Sequence, residues 1–167
     1  QPGYRGTPLH AAACLRNFTL MQKFIASGTA VTVVDRQGRT PLHWLASSKP
    51  NKVASKMILD HWAKTENEKN YSQLQAPLEK CVQLLRDHGA NIEARDAQQN
   101  TPLLAAMQWG QHETARYLVS QGAQAAVQDV TGWTPVILAA NRDDVALLEF
   151  LLEHGGSLDH HRIGWGP

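Results

Sequence analysis

Apolar positions along the chain alternate between two kinds of segment. The first is a short run opening on Thr-Pro, met four times as Thr7-Pro-Leu-His-Ala-Ala, Thr40-Pro-Leu-His-Trp-Leu-Ala, Thr101-Pro-Leu-Leu-Ala-Ala and Thr134-Pro-Val-Ile-Leu-Ala-Ala. The second places apolar residues at helical spacing: Leu20, Met21, Phe24 and Ile25; Cys81, Val82 and Leu85; Tyr117 and Leu118; Leu147, Leu148, Leu151 and Leu152. The pattern predicts a short helix, a turn and a longer helix in each unit. The threonine suits an N-cap, and proline suits the first helical position, where its missing N–H costs nothing. Gly28, Gly89, Gly122 and Gly155 follow the second helices, where a chain leaves a helix through a left-handed residue.

The spacing is periodic. Thr7 to Thr40 and Thr101 to Thr134 are each 33 residues, whereas Thr40 to Thr101 is 61, one period lengthened by 28. Repeats therefore fall at about 1–34, 35–95, 96–128 and 129–161, in a single domain. Polar stretches with a turn signal, Asp35-Arg-Gln-Gly38-Arg and Asp129-Val-Thr-Gly132-Trp, precede the Thr-Pro segments and predict hairpin loops. No unit of this size buries its apolar side alone. The expected architecture is an all-α solenoid of helix-turn-helix units with β-hairpin loops.

These residues resemble the ankyrin repeat family over essentially the whole chain. The family pattern of Asp, two variable residues, Gly, a variable residue, Thr-Pro-Leu-His and two alanines is met by Asp35 to Ala46, with Leu45 in place of the first alanine, and more loosely in the other copies. The resemblance implies stacked helical pairs, fingers at about right angles to them, and protein binding through the concave face of fingertips and inner helices, without catalysis. It also gives His10 and His43 a bracing role inside their loops, one that Leu104 and Ile137 cannot fill.

Transferring the family's binding positions selects Arg36, Gln37 and Arg39 on one fingertip, Ala97, Gln98 and Asn100 on the next, and Val130, Thr131 and Trp133 on the third. The inner helices add Cys14, Ser47, Ser48, Gln108, Trp109, Asn141 and Arg142. Trp109 and Trp133 are the strongest anchor candidates, since buried aromatic rings dominate interface energetics. Trp133 equally fits a ring packed across its own hairpin. Trp44 reads as structural.

Two features depart from a plain array. An insertion at about 49–76 interrupts the second repeat, with Val53, Ala54, Met57, Ile58 and Trp62 on one side of an expected amphipathic helix. That helix either lies on the outer surface or serves as a docking element. At the other end, Gly164-Trp-Gly-Pro167 echoes Gly132-Trp-Thr-Pro135, and the fourth repeat lacks a polar outer face. Residues 162–167 are expected to open a further repeat. A start at Gln1 marks the chain as a fragment in this reading.

Composition narrows the function. The chain has 167 residues, with 16 basic and 15 acidic side chains and a formal charge of +1, which drives it toward neither nucleic acid nor anionic lipid. The charge is uneven. Residues 1–34 hold three basic and no acidic groups, whereas residues 129–167 hold six acidic and two basic ones. Such a gradient steers a complementary partner into register. No membrane span or signal peptide is read, and Cys14 and Cys81 make no disulfide framework, so a cytoplasmic location, or a nuclear one, is expected. No P-loop, Gly-x-Ser-x-Gly, His-Glu-x-x-His or Cys-x-x-Cys motif occurs. His154, Asp159, His160 and His161 are a poor metal set, because adjacent histidines in extended chain point apart. The expectation is a monomeric, cofactor-free, non-catalytic module that binds a protein partner. The alternative is the recruiting domain of a larger enzyme or pathogen effector.

Overall fold

The computed structural model describes residues 6–47 and 76–158. The expected insertion helix, Ser48, the residues from Asp159 to His161 and the Gly164–Pro167 echo lie outside them. The described chain forms eight helices: α1 Pro8–Cys14, α2 Phe18–Ala26, α3 Pro41–Ser47, α4 Leu78–Asp87, α5 Pro102–Gln108, α6 His112–Ser120, α7 Pro135–Ala140 and α8 Val145–Glu153. The short helices α1, α3, α5 and α7 pack in one row, and α2 with α4 and α6 with α8 form the second.

Sequence chemistry sets the helix ends. Thr101 Oγ1 accepts from Leu104 N at 3.3 Å and Thr134 Oγ1 from Ile137 N at 3.2 Å, each worth about 1 kcal/mol. Asn17 and Asp144 cap α2 and α8 in the same way at 3.0 Å. Pro77 stands just outside α4 as its cap residue rather than in its first turn. The four glycines after the second helices have φ between +87° and +94°, the left-handed exit the spacing predicts.

The core runs between the two rows. Leu9, Leu42, Leu103 and Val136 hold the same position in successive short helices and are fully buried, each contributing about 1.5–3 kcal/mol. Small residues beside them, Ala12, Ala46, Ala106 and Ala139, let neighbouring helices approach closely. Met21, Cys81, Leu85, Leu118, Leu147 and Leu151 close the core from the second row. Ile92 packs against both halves of it and joins them.

The fingers are turns rather than ladders. Asp35 N donates to Arg39 O at 2.9 Å, Asp96 N to Asn100 O at 3.0 Å and Asp129 N to Trp133 O at 3.1 Å, and no strand forms among the described residues. A second bond inside each loop runs from Gly38, Gln99 or Gly132 N to the same aspartate's carbonyl at 3.0–3.1 Å, which makes a tight turn and not the paired exchange of a ladder. Successive fingers are then joined to each other, Ala97 N to Gln37 O at 2.8 Å and Val130 N to Gln98 O at 3.0 Å.

Candidate protein-binding face

Each finger is built around one aspartate. Asp35 Oδ1 accepts from the amides of Gln37 at 2.8 Å and Arg39 at 3.0 Å. Asp96 Oδ1 does the same for Gln98 at 2.9 Å and Asn100 at 2.8 Å, and Asp129 Oδ1 for Thr131 at 2.8 Å and Trp133 at 3.0 Å. The carboxylate thus satisfies two amides that the tight turn points inward. Burial alone pushes the Asp35 carboxyl up. Hydrogen bonds from the Arg39 amide, the Trp44 indole, the Arg39 side chain and the Gln37 amide outweigh it and hold the group below its ordinary 3.8.

The histidines tie the first two fingers to the short helix of the preceding repeat. His10 Nδ1 accepts from Thr7 N at 3.0 Å, while its Nε2 lies 2.8 Å from Arg39 O. His43 repeats the arrangement with Thr40 N at 3.2 Å and Asn100 O at 2.9 Å. An amide only donates and a carbonyl only accepts, so both rings are neutral with the proton on Nε2. Burial pushes both imidazoles below the ordinary 6.5, against the opposing pull of those carbonyls.

On this frame the expected contact residues divide into presented and supporting groups. Arg36, Gln37, Gln98 and Thr131 are exposed along the three tips, with Ala97 and Val130 beside them. Thr131 also donates its hydroxyl to Asp129 at 2.6 Å. Trp133 is exposed at the base of the third tip. Arg39 and Asn100, expected as contacts, are turned inward. The Arg39 guanidinium pairs with Asp35 at 2.8 Å and lies 5.2 Å from the Trp44 ring. Asn100 is 3% exposed, gives its amide to Asp96 at 3.2 Å and takes one from Gln108 at 2.8 Å. A residue beside the turn carboxylate is drawn into the bracket that the carboxylate organises.

On the short helices, Ser47 is half-buried and gives its hydroxyl to Trp44 O at 3.4 Å. Gln108 bridges Asn100 and Asp129, and Asn141 is exposed. Arg142 is exposed but anchored, donating to Gln108 O at 2.6 Å and so covering the end of α5. Trp109 is 65% exposed. The two candidate anchors do not meet. Trp133 precedes the N-cap of α7 and Trp109 follows the last turn of α5, at opposite ends of parallel helices about 10 Å long. Trp44 is buried, with Nε1 donating to Asp35 Oδ2 at 2.9 Å and its ring edge-on to His10 at 5.3 Å.

Sequence reasoning missed the placement of Asp96, the middle member of the aspartate series. Its signal was present, since Asp96 and Asp129 are one 33-residue period apart. A separate groove of about 600 Å3 lies mostly on the second helices, among Glu79, Glu113, Arg116, Tyr117 and Phe150, with charges of both signs. Cys81 is buried and its thiol is pushed up to about 11 by that burial, far from thiolate reactivity. No group of three or more possible metal ligands occurs among the described residues. None of the described helices is long and apolar enough to cross a membrane.

Known proteins share this organisation. The family model for ankyrin repeats in three copies matches residues 74–162. A transient receptor potential cation channel subfamily A member 1 homolog from Caenorhabditis elegans is 26% identical over 163 residues, spanning 93% of this chain and 13% of its own length. Rabankyrin-5 is 40% identical over 62 residues in Mus musculus and 38% over 73 in Homo sapiens, covering 37% and 41% of this chain. The chain spans only 5% and 6% of those two proteins. Aspartate-bracketed fingers, histidine ties between successive repeats and a family match over more than half of the residues agree: the chain belongs to the ankyrin repeat family.

Proposed function

We propose that the chain is a non-catalytic recognition module that binds a partner polypeptide across the fingertips and the adjoining side of the short helices. The observation that carries this reading is the row of exposed tip residues, Arg36, Gln37, Gln98 and Thr131, on loops fixed by internal carboxylates and by finger-to-finger amide bonds. Groups held in place before binding lose little freedom on binding, so a modest polar surface reaches useful affinity. Trp133 and Trp109 supply apolar area at the two edges, Asn141 and Arg142 line the α7 end, and Ser47, Asn100, Gln108 and Arg39 hold the surface in shape. The module works as a monomer, without cofactor, in the cytoplasm or nucleus. Ankyrin repeats are generally interaction modules, which accords with this reading.

A second reading, a recruiting domain within a much larger protein, is favoured by the small share of its relatives' length that the chain covers. It uses the same face. The test is affinity capture with the native chain beside an Arg36→Glu, Trp133→Ala variant and a Glu149→Lys variant on the opposite side. Partners lost with the first variant and kept with the second support the proposal. A set unchanged by the first and lost with the second overturns it.

A further inference from the structure

The second row of helices is joined unevenly. α2 packs closely on α4 and α6 on α8, whereas α4 and α6 are the looser neighbours. At their C-terminal ends they are tied: Arg86 Nη1 of α4 donates to Gln121 O at 3.1 Å and to Gln121 Oε1 at 3.2 Å, just past α6. At their N-terminal ends no hydrogen bond or ion pair joins them among the described residues, and there the groove of about 600 Å3 opens. Glu79 lines it from α4, Glu113, Arg116 and Tyr117 from α6, Phe150 from α8 and Arg16 from the turn before α2. No fingertip residue takes part. A volume of this size suits a ligand or a few side chains of a partner.

The charged groups of the groove lack partners of opposite sign. Arg16 Nε is buried without a hydrogen bond, and no other nitrogen of that guanidinium finds an acceptor among the described residues. Arginine does not give up its proton, so this desolvation costs the free chain stability, and an acceptor brought by a ligand would offset it. Arg116 passes over Glu113, three residues earlier, and lies 5.0 Å from the Phe150 ring, which fixes the cation without neutralising it. Glu79 and Glu113 stand in the first turns of their helices, where the helix dipole favours acids, and neither has a cation in contact. Two guanidiniums and two carboxylates balance, so a purely anionic or purely cationic ligand meets a like charge. Half-buried Tyr117 and Phe150 supply apolar area between them. The walls are helices and present no sheet edge, so a peptide in the groove must satisfy its own amides, as a helix does.

We propose that this groove docks an amphipathic helix of a partner polypeptide that presents an acidic and a basic side chain on either side of an apolar one, the acid facing Arg16 and Arg116 and the base facing Glu79 and Glu113. The site is separate from the fingertip face and does not rest on it. The probe is a displayed library of alanine-rich helical peptides of about 15 residues, about four turns, selected on the full chain. Selected sequences should carry both charges with a leucine or aromatic residue between them. Arg116→Glu should weaken a selected peptide about tenfold or more, and exchanging the peptide's acid for lysine should restore it. Arg16→Met keeps the packed stem and removes the charge; it should weaken binding likewise and hold the melting temperature within about 1 °C of the native chain or raise it. The fingertip variant Arg36→Glu, Trp133→Ala should bind the peptide within about twofold of the native chain. A library that enriches nothing, selected peptides of one charge sign, binding indifferent to both groove variants, or a melting temperature that falls with Arg16→Met overturns the proposal. Carbodiimide labelling identifies other occupants: Glu79 and Glu113 should react in the free chain and be protected by the peptide. Protection in the free chain at every concentration assigns the groove to another part of the same chain, and protection only at high concentration assigns it to a second copy; either overturns the proposal.

Discussion

His43 Nε2 donates to the carbonyl of Asn100 at 2.9 Å, across 57 residues of chain. The same ring accepts the Thr40 amide through Nδ1, so one side chain closes the cap of its own short helix and fastens the finger of the next repeat. His10 does this one repeat earlier with Thr7 and Arg39. Fingertips and helix row are therefore coupled in the first half of the molecule. In the second half Leu104 offers no such tie, and the Gln108 side chain reaches Asp129 at 3.4 Å instead.

Stability should respond to mild acid through these two rings. Their folded pKa values lie below the ordinary 6.5, so as the pH falls through 6.5 the unfolded chain takes up protons that the folded chain refuses. Their contribution is complete above that pH and declines below it. The melting temperature should be flat from about pH 8 to 7 and fall from about 6.5 toward 5. A His10→Leu, His43→Leu variant should start lower by about 2–4 kcal/mol at neutral pH, through the lost bonds, and show a shallower acid limb. An unchanged limb, by calorimetry over that range, would remove the histidines from the account.

Gln99 stands in the left-handed region at φ +62°, where the other two fingers have Gly38 at +73° and Gly132 at +85°. The second finger has kept its shape and lost the residue that adopts it cheaply. Its side chain is exposed, and Arg95 bonds only its carbonyl, at 2.9 Å. Gln99→Gly should raise stability by about 1 kcal/mol, or about 2–4 °C in melting temperature. Gly38→Ala should do the reverse, because a Cβ there would meet Ala97 N at 3.0 Å. Thermal unfolding of the two variants with opposite signs is the check; the same sign in both would contradict it.

Removing a finger carboxylate should free its tip without unfolding the helices. Asp129 holds the amides of Thr131 and Trp133 and the Thr131 hydroxyl, and Gln108 reaches its other oxygen at 3.4 Å. Asp129→Ala should raise amide exchange at Thr131 and Trp133 by an order of magnitude or more over any rise at Leu118 or Leu147, whose amides report only the global cost of about 2 kcal/mol. Exchange measured by mass spectrometry decides it, and unchanged protection at the tip counts against the bracket.

The helical rows were legible in the sequence because their determinants are local. Thr-Pro fixes the start of a short helix, glycine ends the long one, and apolar spacing selects the buried side. The charged candidates were less legible. Arg36 and Arg39 occupy one turn and read alike, yet only Arg39 has Asp35 and Trp44 within reach, and it is drawn in. Trp109 and Trp133 are 24 residues apart in sequence and look like a pair, but parallel stacking puts them at opposite ends of adjoining helices. Such separations depend on how repeats align in space, and no window of sequence shorter than two repeats contains that information.

Asn100 and Trp133 hold the same place in successive fingers, directly before the Thr-Pro step, and should fail in opposite ways. Asn100 is buried, with its side-chain oxygen taking the Gln108 amide and its nitrogen facing Asp96. Asn100→Ala leaves Gln108 and one Asp96 oxygen without that partner in a nearly dry site, at a cost of about 2–3 kcal/mol. Trp133 is 39% exposed, and Trp133→Ala removes no buried hydrogen bond and leaves its backbone bond to Asp129 in place, so its stability cost is limited to lost packing of the ring. Binding separates them further. For a partner on this face, Trp133→Ala should weaken affinity about 30-fold at temperatures where the variant is fully folded, the size expected when an aromatic anchor is truncated. Asn100→Ala should weaken binding only as far as it loosens the second finger, and a return of affinity on cooling below its lowered transition would identify that route. A melting temperature that drops with Trp133→Ala and not with Asn100→Ala would reverse the division between presented and supporting residues.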